Sequence, residues 1–276
     1  MFRQRSGSIL CYACGKLNRA DASACFYCGR RNPGLWGFGP SLGRVIGRLD
    51  FAGLVTIVAV AAYVASLLLD PSGLLRARGP FDFLAPSGPA LNALGMTGAV
   101  AWHLGRWWTV LTAIYLHGSL LHLVFNLLWI RQMASDVEEV FGHARFIVIF
   151  TVSGALGFVL SNLVGITFTL GASGAVFGLF GAMVYYGRQR GGFFGQAVLR
   201  QYGTWALVIF VLGFLPGFHV NNWGHGGGFA GGFLAAMALG AGPGRPESGM
   251  HRVLAALCLG LTVVAFALAL WTAFAA

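Results

Sequence analysis

A single serine, Ser173, stands near the front of the run "TLGASGAVFGLFGAMV" (residues 169–184), between Gly171 and Gly174 in otherwise small, apolar sequence. A hydroxyl becomes a nucleophile when a base takes its proton. Two histidines lie in other apolar runs and are candidates for that task. His225 opens "NNWGHGGGFAGGFLAAM", and His122 sits in "YLHGSLLHLVFNLLWI". Asn126 follows His122 by four residues, which places both on one helix face. A serine at a helix N-terminus meets unpaired N–H groups and the positive end of the helix dipole, which favour a developing oxyanion. His122 and Asn126 can donate to the same oxygen. No carboxylate completes a triad: the acidic residues are Asp21, Asp50, Asp70, Asp82, Asp136, Glu138, Glu139 and Glu247, and none falls at the depth of Ser173. A Ser173–His225 dyad remains. Each residue also has a plainer role open to it: a serine bonded back to a helix carbonyl, a histidine in an interhelical bond or a proton relay, an asparagine as packing glue.

The elements that must position these groups are helices in a membrane. The chain has 276 residues, of which 57% are hydrophobic and 9% charged, with a mean hydropathy of +0.73. A soluble domain carries about a quarter charged residues. Apolar segments fall at about 51–69, 111–130, 146–166, 171–187, 202–217, 223–241 and 253–273, giving seven expected spans, with six or eight as alternatives. With the N-terminus in the cytoplasm, 15 of the 18 basic residues lie on the cytoplasmic side, and only Arg76, Arg78 and Arg106 lie outside. That orientation puts the C-terminus outside. The net charge of +10 thus serves topology and excludes a nucleic-acid surface. No signal-type apolar stretch occurs in the first 45 residues, so no cleavable leader is expected.

Alternate spans then turn at one face, and Ser173, His122 and His225 fall at similar depth below the outer surface. Gly174 and Gly178 form one GxxxG pair, and Gly228 and Gly232 form another on the face of His225; small residues let helix backbones approach closely. The stretch 70–106 is too apolar for a free loop and too broken by Pro and Gly for a span. It reads as a partly embedded loop, with Trp102, Trp107 and Trp108 at headgroup level.

At the other end, Cys11, Cys14, Cys25 and Cys28 form CxxC, ten residues, then CxxC, with Gly15 and Gly29 after each pair. Two such knuckles supply four thiolates to a structural zinc ion. Disulfides or free thiols are the alternative, and a cytoplasmic location argues against disulfides. Cys258 is read as a packing residue.

Together, "GRWWTVLTAIYLHGSLLHLVFN", "EEVFGHARF", "GASGAVFG" and "NNWGHGGGFAGG" resemble the rhomboid family of intramembrane serine proteases over about residues 50–243. The resemblance implies an all-α polytopic membrane protein with a six-helix core; the one C-terminal transmembrane helix (six plus one) and the small zinc-ribbon-like module before the core are additions to it. The expected division is 1–35 for the module, 36–50 for a linker, 51–243 for the membrane core, and 244–276 for a linker and the seventh helix. It implies Ser173 as nucleophile and His225 as general base. It also implies an oxyanion hole from the Ser173 N–H, His122 and Asn126, with Gly171, Gly174, Phe177, Gly228 and Gly232 in support. Phe177 matches an aromatic position that packs on the histidine, and Glu138 and Gly142 match a structural motif. Span five and the loop "PGFHVNNW" match a mobile gate and cap. The implied substrates are single-span membrane proteins cut near the outer face, with no cofactor needed for catalysis. The implied partners are those substrates and membrane lipid; the module's contact is open between a protein partner, lipid headgroups and simple anchoring. The reduced-cysteine motif and the lack of a transit-type segment suggest a bacterial inner membrane. Trp107, Trp108 and Thr109 after Arg106 depart from the family's loop motif and put the usual contacts of that arginine in doubt. A transporter using His122 and His225 as relays, or a non-catalytic binder of membrane partners, are the competing classes.

Overall fold

The computed structural model describes residues 6–11, 16–29, 31–34, 50–76, 83–215, 220–240, 242 and 246–274. Cys14, nearly all of the 36–50 linker, and residues 216–219 of the cap loop, including His219, lie outside them.

The chain forms two compact units, Met1–Leu54 and Val55–Ala276. In the first, β1 (Ser8–Leu10) pairs antiparallel with β2 (Leu17–Arg19), Ser8 opposite Arg19 and Leu10 opposite Leu17. Ile9 and Asn18 point inward while their neighbours are exposed, the period-two alternation of a pleated strand.

Seven helices of 18 or more residues are found among the described residues: α1 (Phe51–Leu69), α5 (Leu120–Phe141), α6 (His143–Leu163), α7 (Ser173–Arg190), α8 (Gly192–Leu212), α9 (Asn222–Leu239) and α10 (Gly249–Phe274). Each overlaps one of the apolar segments. α1, α6 and α10 are individually long and apolar enough to cross a membrane, and the bent pair ending in α5 makes a fourth. α7 and α9 are diluted by glycine, and α8 begins with polar and glycine residues, which is why they fall short on hydropathy alone.

The segment before α5 is not a straight continuation of it. Short helices α2 (Gly88–Ala93), α3 (Ala99–His103) and α4 (Thr109–Thr112) fold the 83–112 stretch into a compact loop. A 3-10 turn, Ala113–Tyr115, follows, and the chain bends by 91° before α5 starts. Ser119 caps that start by accepting from the His122 N–H at 3.2 Å. The expected second span, 111–130, is therefore shifted: the helix begins at Leu120 and runs to Phe141. The expected fifth span is likewise earlier and longer, because Gly191 and Gly192 both adopt positive φ and allow a tight turn straight out of α7.

In lipid, apolar side chains gain little by leaving hydrocarbon, so close van der Waals packing must hold the helices. α9 packs along both α6 and α7, and α8 packs along α7. α10 lies against α6 and the α2 and α4 end of the loop, with the ring of Phe266 5.9 Å from Tyr115. Its connection is fixed by Glu247, whose Oε1 accepts from the N–H groups of Ala144 at 2.6 Å and Arg145 at 3.2 Å. Gly142 gives α6 no side-chain cap. The carboxylate supplies it from about a hundred residues away, worth about 0.5–2 kcal/mol. Gly142 itself, at φ +80°, closes α5 by donating to the Glu138 carbonyl at 2.8 Å.

Candidate active site

Three of the polar residues singled out by sequence lie in the first turn of three different helices. Ser173 is the first residue of α7, His122 the third of α5, and His225 the fourth of α9. The structure gathers these helix starts into one junction.

The junction closes through glycine. A Cβ at Gly228 would collide with the carbonyl oxygen of Gly174, and one at Gly232 with that of Gly178. Gly157 on α6 meets the Gly224 carbonyl in the same way, at 2.5 Å from the missing Cβ. The backbones of α6, α7 and α9 therefore touch directly.

His225 is 5% exposed. Its ring lies flat on Phe177, one turn after Ser173, with centroids 4.1 Å apart and planes 13° from parallel. This stacking leaves the imidazole little freedom. No hydrogen bond joins Ser173 Oγ to His225 in this geometry. Nucleophile–base pairs are commonly looser without substrate and tighten when it binds. Ser173 is half-buried between the buried Ala172 and Gly174.

His122 approaches from the other side. A Cβ at Gly171 would fall 2.6 Å from Cε1 and Nε2 of His122, and Gly171 adopts φ +117°, so only glycine suits this position. The Gly118 N–H donates to His122 Nδ1 at 3.4 Å. That assignment leaves the proton on Nε2, the atom beside Gly171. Asn126 is buried and donates one amide hydrogen to the His122 carbonyl at 2.8 Å, leaving a second available. Ala172 offers α7 no side-chain cap, so the first-turn N–H groups, that of Ser173 included, keep their donors free. The His122 ring thus stands beside Gly171, two residues before Ser173, and the His225 ring lies on Phe177, one turn after it.

Sequence reasoning missed Ser161 and Thr169, and with them the tie by which Asn221 braces this junction. Asn221, Ser161 and Thr169 are joined by hydrogen bonds, with Ser161 fully buried. Asn221 had a legible signal, since an asparagine just before a helical run is an N-cap. His117, also fully buried, lies ring to ring with His122 at 5.1 Å and was not singled out. Arg106, in the loop motif that departs from the family, donates to the side chain and the carbonyl of Asn92, both at 3.2 Å. Glu138 pairs with His143 at 3.0 Å.

In the first unit, the sulfurs of Cys11, Cys25 and Cys28 lie within 4.8 Å of one another. Cys11 and Cys28 are 3.8 Å apart, a contact and not a disulfide, whose bond is about 2.05 Å. Four thiolates at about 2.3 Å from a tetrahedral zinc stand about 3.8 Å from each other, so the spacing fits that ion. Burial raises the Cys25 thiol, but hydrogen bonds from the Cys28 and Tyr27 backbone and from the Cys28 and Asn18 side chains outweigh it. The result is a thiol lowered to about 6. The Asn18 amide donates to its sulfur at 3.3 Å. These are the surroundings of a thiolate ligand.

An array of long apolar helices with polar groups gathered at one helix junction defines a multi-pass membrane protein. Residues 104–242 match the family model of the Rhomboid domain, half of the chain. The chain belongs to the rhomboid family. It is 37% identical over 167 residues to rhomboid protease GluP of Bacillus subtilis, covering 59% of this chain and 31% of that one. It is 34% identical over 170 residues to RHOMBOID-like protein 7 of Arabidopsis thaliana, covering 55% and 50%. Rhomboid-like protease 3 of Toxoplasma gondii is 30% identical over 188 residues, covering 67% and 66%. The chain thus spans from about a third to two thirds of the length of these relatives.

Proposed function

We propose that this protein is an intramembrane serine endopeptidase that cuts single-span membrane proteins near the outer membrane face with a Ser173–His225 dyad. One observation carries the reading. The first turns of α5, α7 and α9 bring a serine, a Phe177-stacked imidazole and uncommitted donors together at a backbone-to-backbone helix junction. The names of the relatives, rhomboid protease GluP among them, support the same class.

The chemistry balances with this chain's own groups. His225 takes the proton of Ser173 as Oγ bonds to the scissile carbonyl carbon. The oxyanion is held by the Ser173 N–H, His122 Nε2–H and the spare amide hydrogen of Asn126. His225 then delivers its proton to the leaving amine as the C–N bond breaks, forming an acyl-enzyme. Water, deprotonated by His225, releases the new carboxyl, and Ser173 recovers its proton. Gly171, Gly174, Gly228 and Gly232 act by letting the segments close.

A transmembrane helix ties up its own backbone hydrogen bonds, so it must unwind locally before attack. α8 lines the route. It packs along α7 but meets α5 through Trp205 on Trp129, centroids 5.2 Å apart, and through the Tyr202 hydroxyl donating to Asp136. Parting of these two contacts opens a lateral path to the junction. In this reading the seven long helices all cross, in a six-plus-one arrangement. The N-terminus lies in the cytoplasm of a bacterial inner membrane and the C-terminus lies outside. The module of residues 1–35, the linker 36–50, the core 51–243 and the tail 244–276 keep separate roles.

The test is cleavage of a single-span substrate in vesicles of known sidedness, with the cut mapped by mass spectrometry. The expected cut lies within about a turn or two of the outer end of the substrate helix. A cut in the cytoplasmic half would refute the outer-face claim.

Cys11, Cys14, Cys25 and Cys28 are the proposed zinc ligands, with a structural role and no part in the chemistry. Purified protein should carry one zinc per chain by elemental analysis. Cys25→Ser should lose most of it while the folded membrane core keeps its turnover. Full zinc content in that variant would contradict the assignment.

A further inference from the structure

We propose that Asn221 is a positioning residue that fixes the base against the nucleophile by tying together the segments that carry them. This rests on the Ser173–His225 reading above.

Asn221 is the N-cap of α9, and its Oδ1 accepts from the Gly224 N–H at 3.0 Å. Its Nδ2 donates one hydrogen to Ser161 Oγ at 2.7 Å and the other to Thr169 Oγ1 at 2.9 Å. Both amide hydrogens and the carbonyl oxygen are therefore engaged. The three partners come from three segments: α9 itself, α6, and the segment that leads into α7.

The spacing makes this a link between the reacting groups. Asn221 precedes His225 by four residues, and its carbonyl accepts from the His225 N–H at 3.1 Å. Thr169 precedes Ser173 by four residues. Thr169 is in turn pinned to the embedded loop, exchanging backbone hydrogen bonds with Thr97 at 2.8 and 3.2 Å. Ser161 is fully buried, and its hydroxyl donates to the Gly157 carbonyl at 2.8 Å. Gly157 is the residue whose missing Cβ admits the α9 backbone. One amide thus holds the start of the base's helix, the approach to the nucleophile and the helix packed against both. Ser173 and His225 share no hydrogen bond in this geometry, so their separation is set by such indirect ties.

Two substitutions isolate the tie. Asn221→Ser retains a helix cap but is too short to reach Ser161 and Thr169. Thr169→Val keeps the shape and removes one acceptor. Reaction of the full chain with a fluorophosphonate reports the nucleophile directly, and turnover of a single-span substrate separates kcat from KM. Measurements are made in detergent well below each variant's unfolding temperature. Asn221→Ser should lower kcat and the labelling rate constant about tenfold with KM nearly unchanged, since small misplacements of reacting groups cost rate and not binding. Thr169→Val should lose about threefold, and the double variant should be no worse than Asn221→Ser, because both cut one tie. Rates within twofold of wild type in both single variants would overturn the proposal. If Asn221→Ser fails to fold, an unchanged rate in Thr169→Val alone overturns it. A wild-type protein unlabelled at Ser173 would instead refute the dyad on which this rests.

Discussion

Replacing Ser173 with alanine should abolish peptide-bond hydrolysis while leaving the fold intact. The expected loss is about 10,000-fold or more, the scale seen when a covalent nucleophile is removed from a dyad or triad. Ser173 is the first residue of α7, where alanine fits the helix equally well, and its hydroxyl makes no capping bond that the helix needs. Its neighbours Ala172 and Gly174 are buried and would not move for the loss of one oxygen. Stability should therefore hold, and the His225–Phe177 stack should be untouched. Turnover of a single-span substrate, read beside the thermal unfolding temperature of both proteins, checks this. Unfolding together with loss of activity would make Ser173 a structural residue. Retained turnover would remove it from the chemistry.

Gly228→Ala should be the most damaging small substitution away from the reacting groups. A Cβ there meets the carbonyl oxygen and carbonyl carbon of Gly174, which are backbone atoms and cannot rotate aside. The helices must part, at a packing cost of about 1–3 kcal/mol. Parting by even about 1 Å separates His225 from Ser173 and costs about a hundredfold in rate. Gly226→Ala on the same helix is the matched control. Nothing lies within 4 Å of its added methyl, and the residue is exposed. Alanine in a helix interior is favoured over glycine, so this variant should be as stable as wild type or more so. Thermal unfolding and turnover of the pair give the check: the two alanines should differ sharply, and similar behaviour would mean that the interlock does not govern the site.

The sequence made the helices and the glycine spacing readable because both obey short periods. Gly174, Gly178, Gly228 and Gly232 announce close approach by their four-residue steps, and the structure places Gly228 on Gly174 and Gly232 on Gly178. His122 and Asn126 share a face for the same reason. Helix boundaries were less legible. α5 begins at Leu120 because Ser119 caps it after a 91° bend, while the apolar run 111–116 resumes only three residues later and so reads as part of the same span. The ties between distant segments could not be read at all. Asn221 reaches Thr169 across 52 residues and Ser161 across 60, and Glu247 caps a helix 103 residues earlier. Hydrogen bonds at such separations leave no periodic mark, and a lone hydroxyl or carboxylate shows only its type.

The measurement that tests the central claim most directly is site mapping of a serine-directed fluorophosphonate adduct on the full-length protein. Wild type is labelled in detergent, digested and sequenced by mass spectrometry, beside His225→Ala. One adduct per chain is expected, on Ser173, with labelling reduced at least a hundredfold in His225→Ala because the hydroxyl has lost its base. An adduct on another serine, or labelling of Ser173 that is indifferent to His225, would contradict the claim.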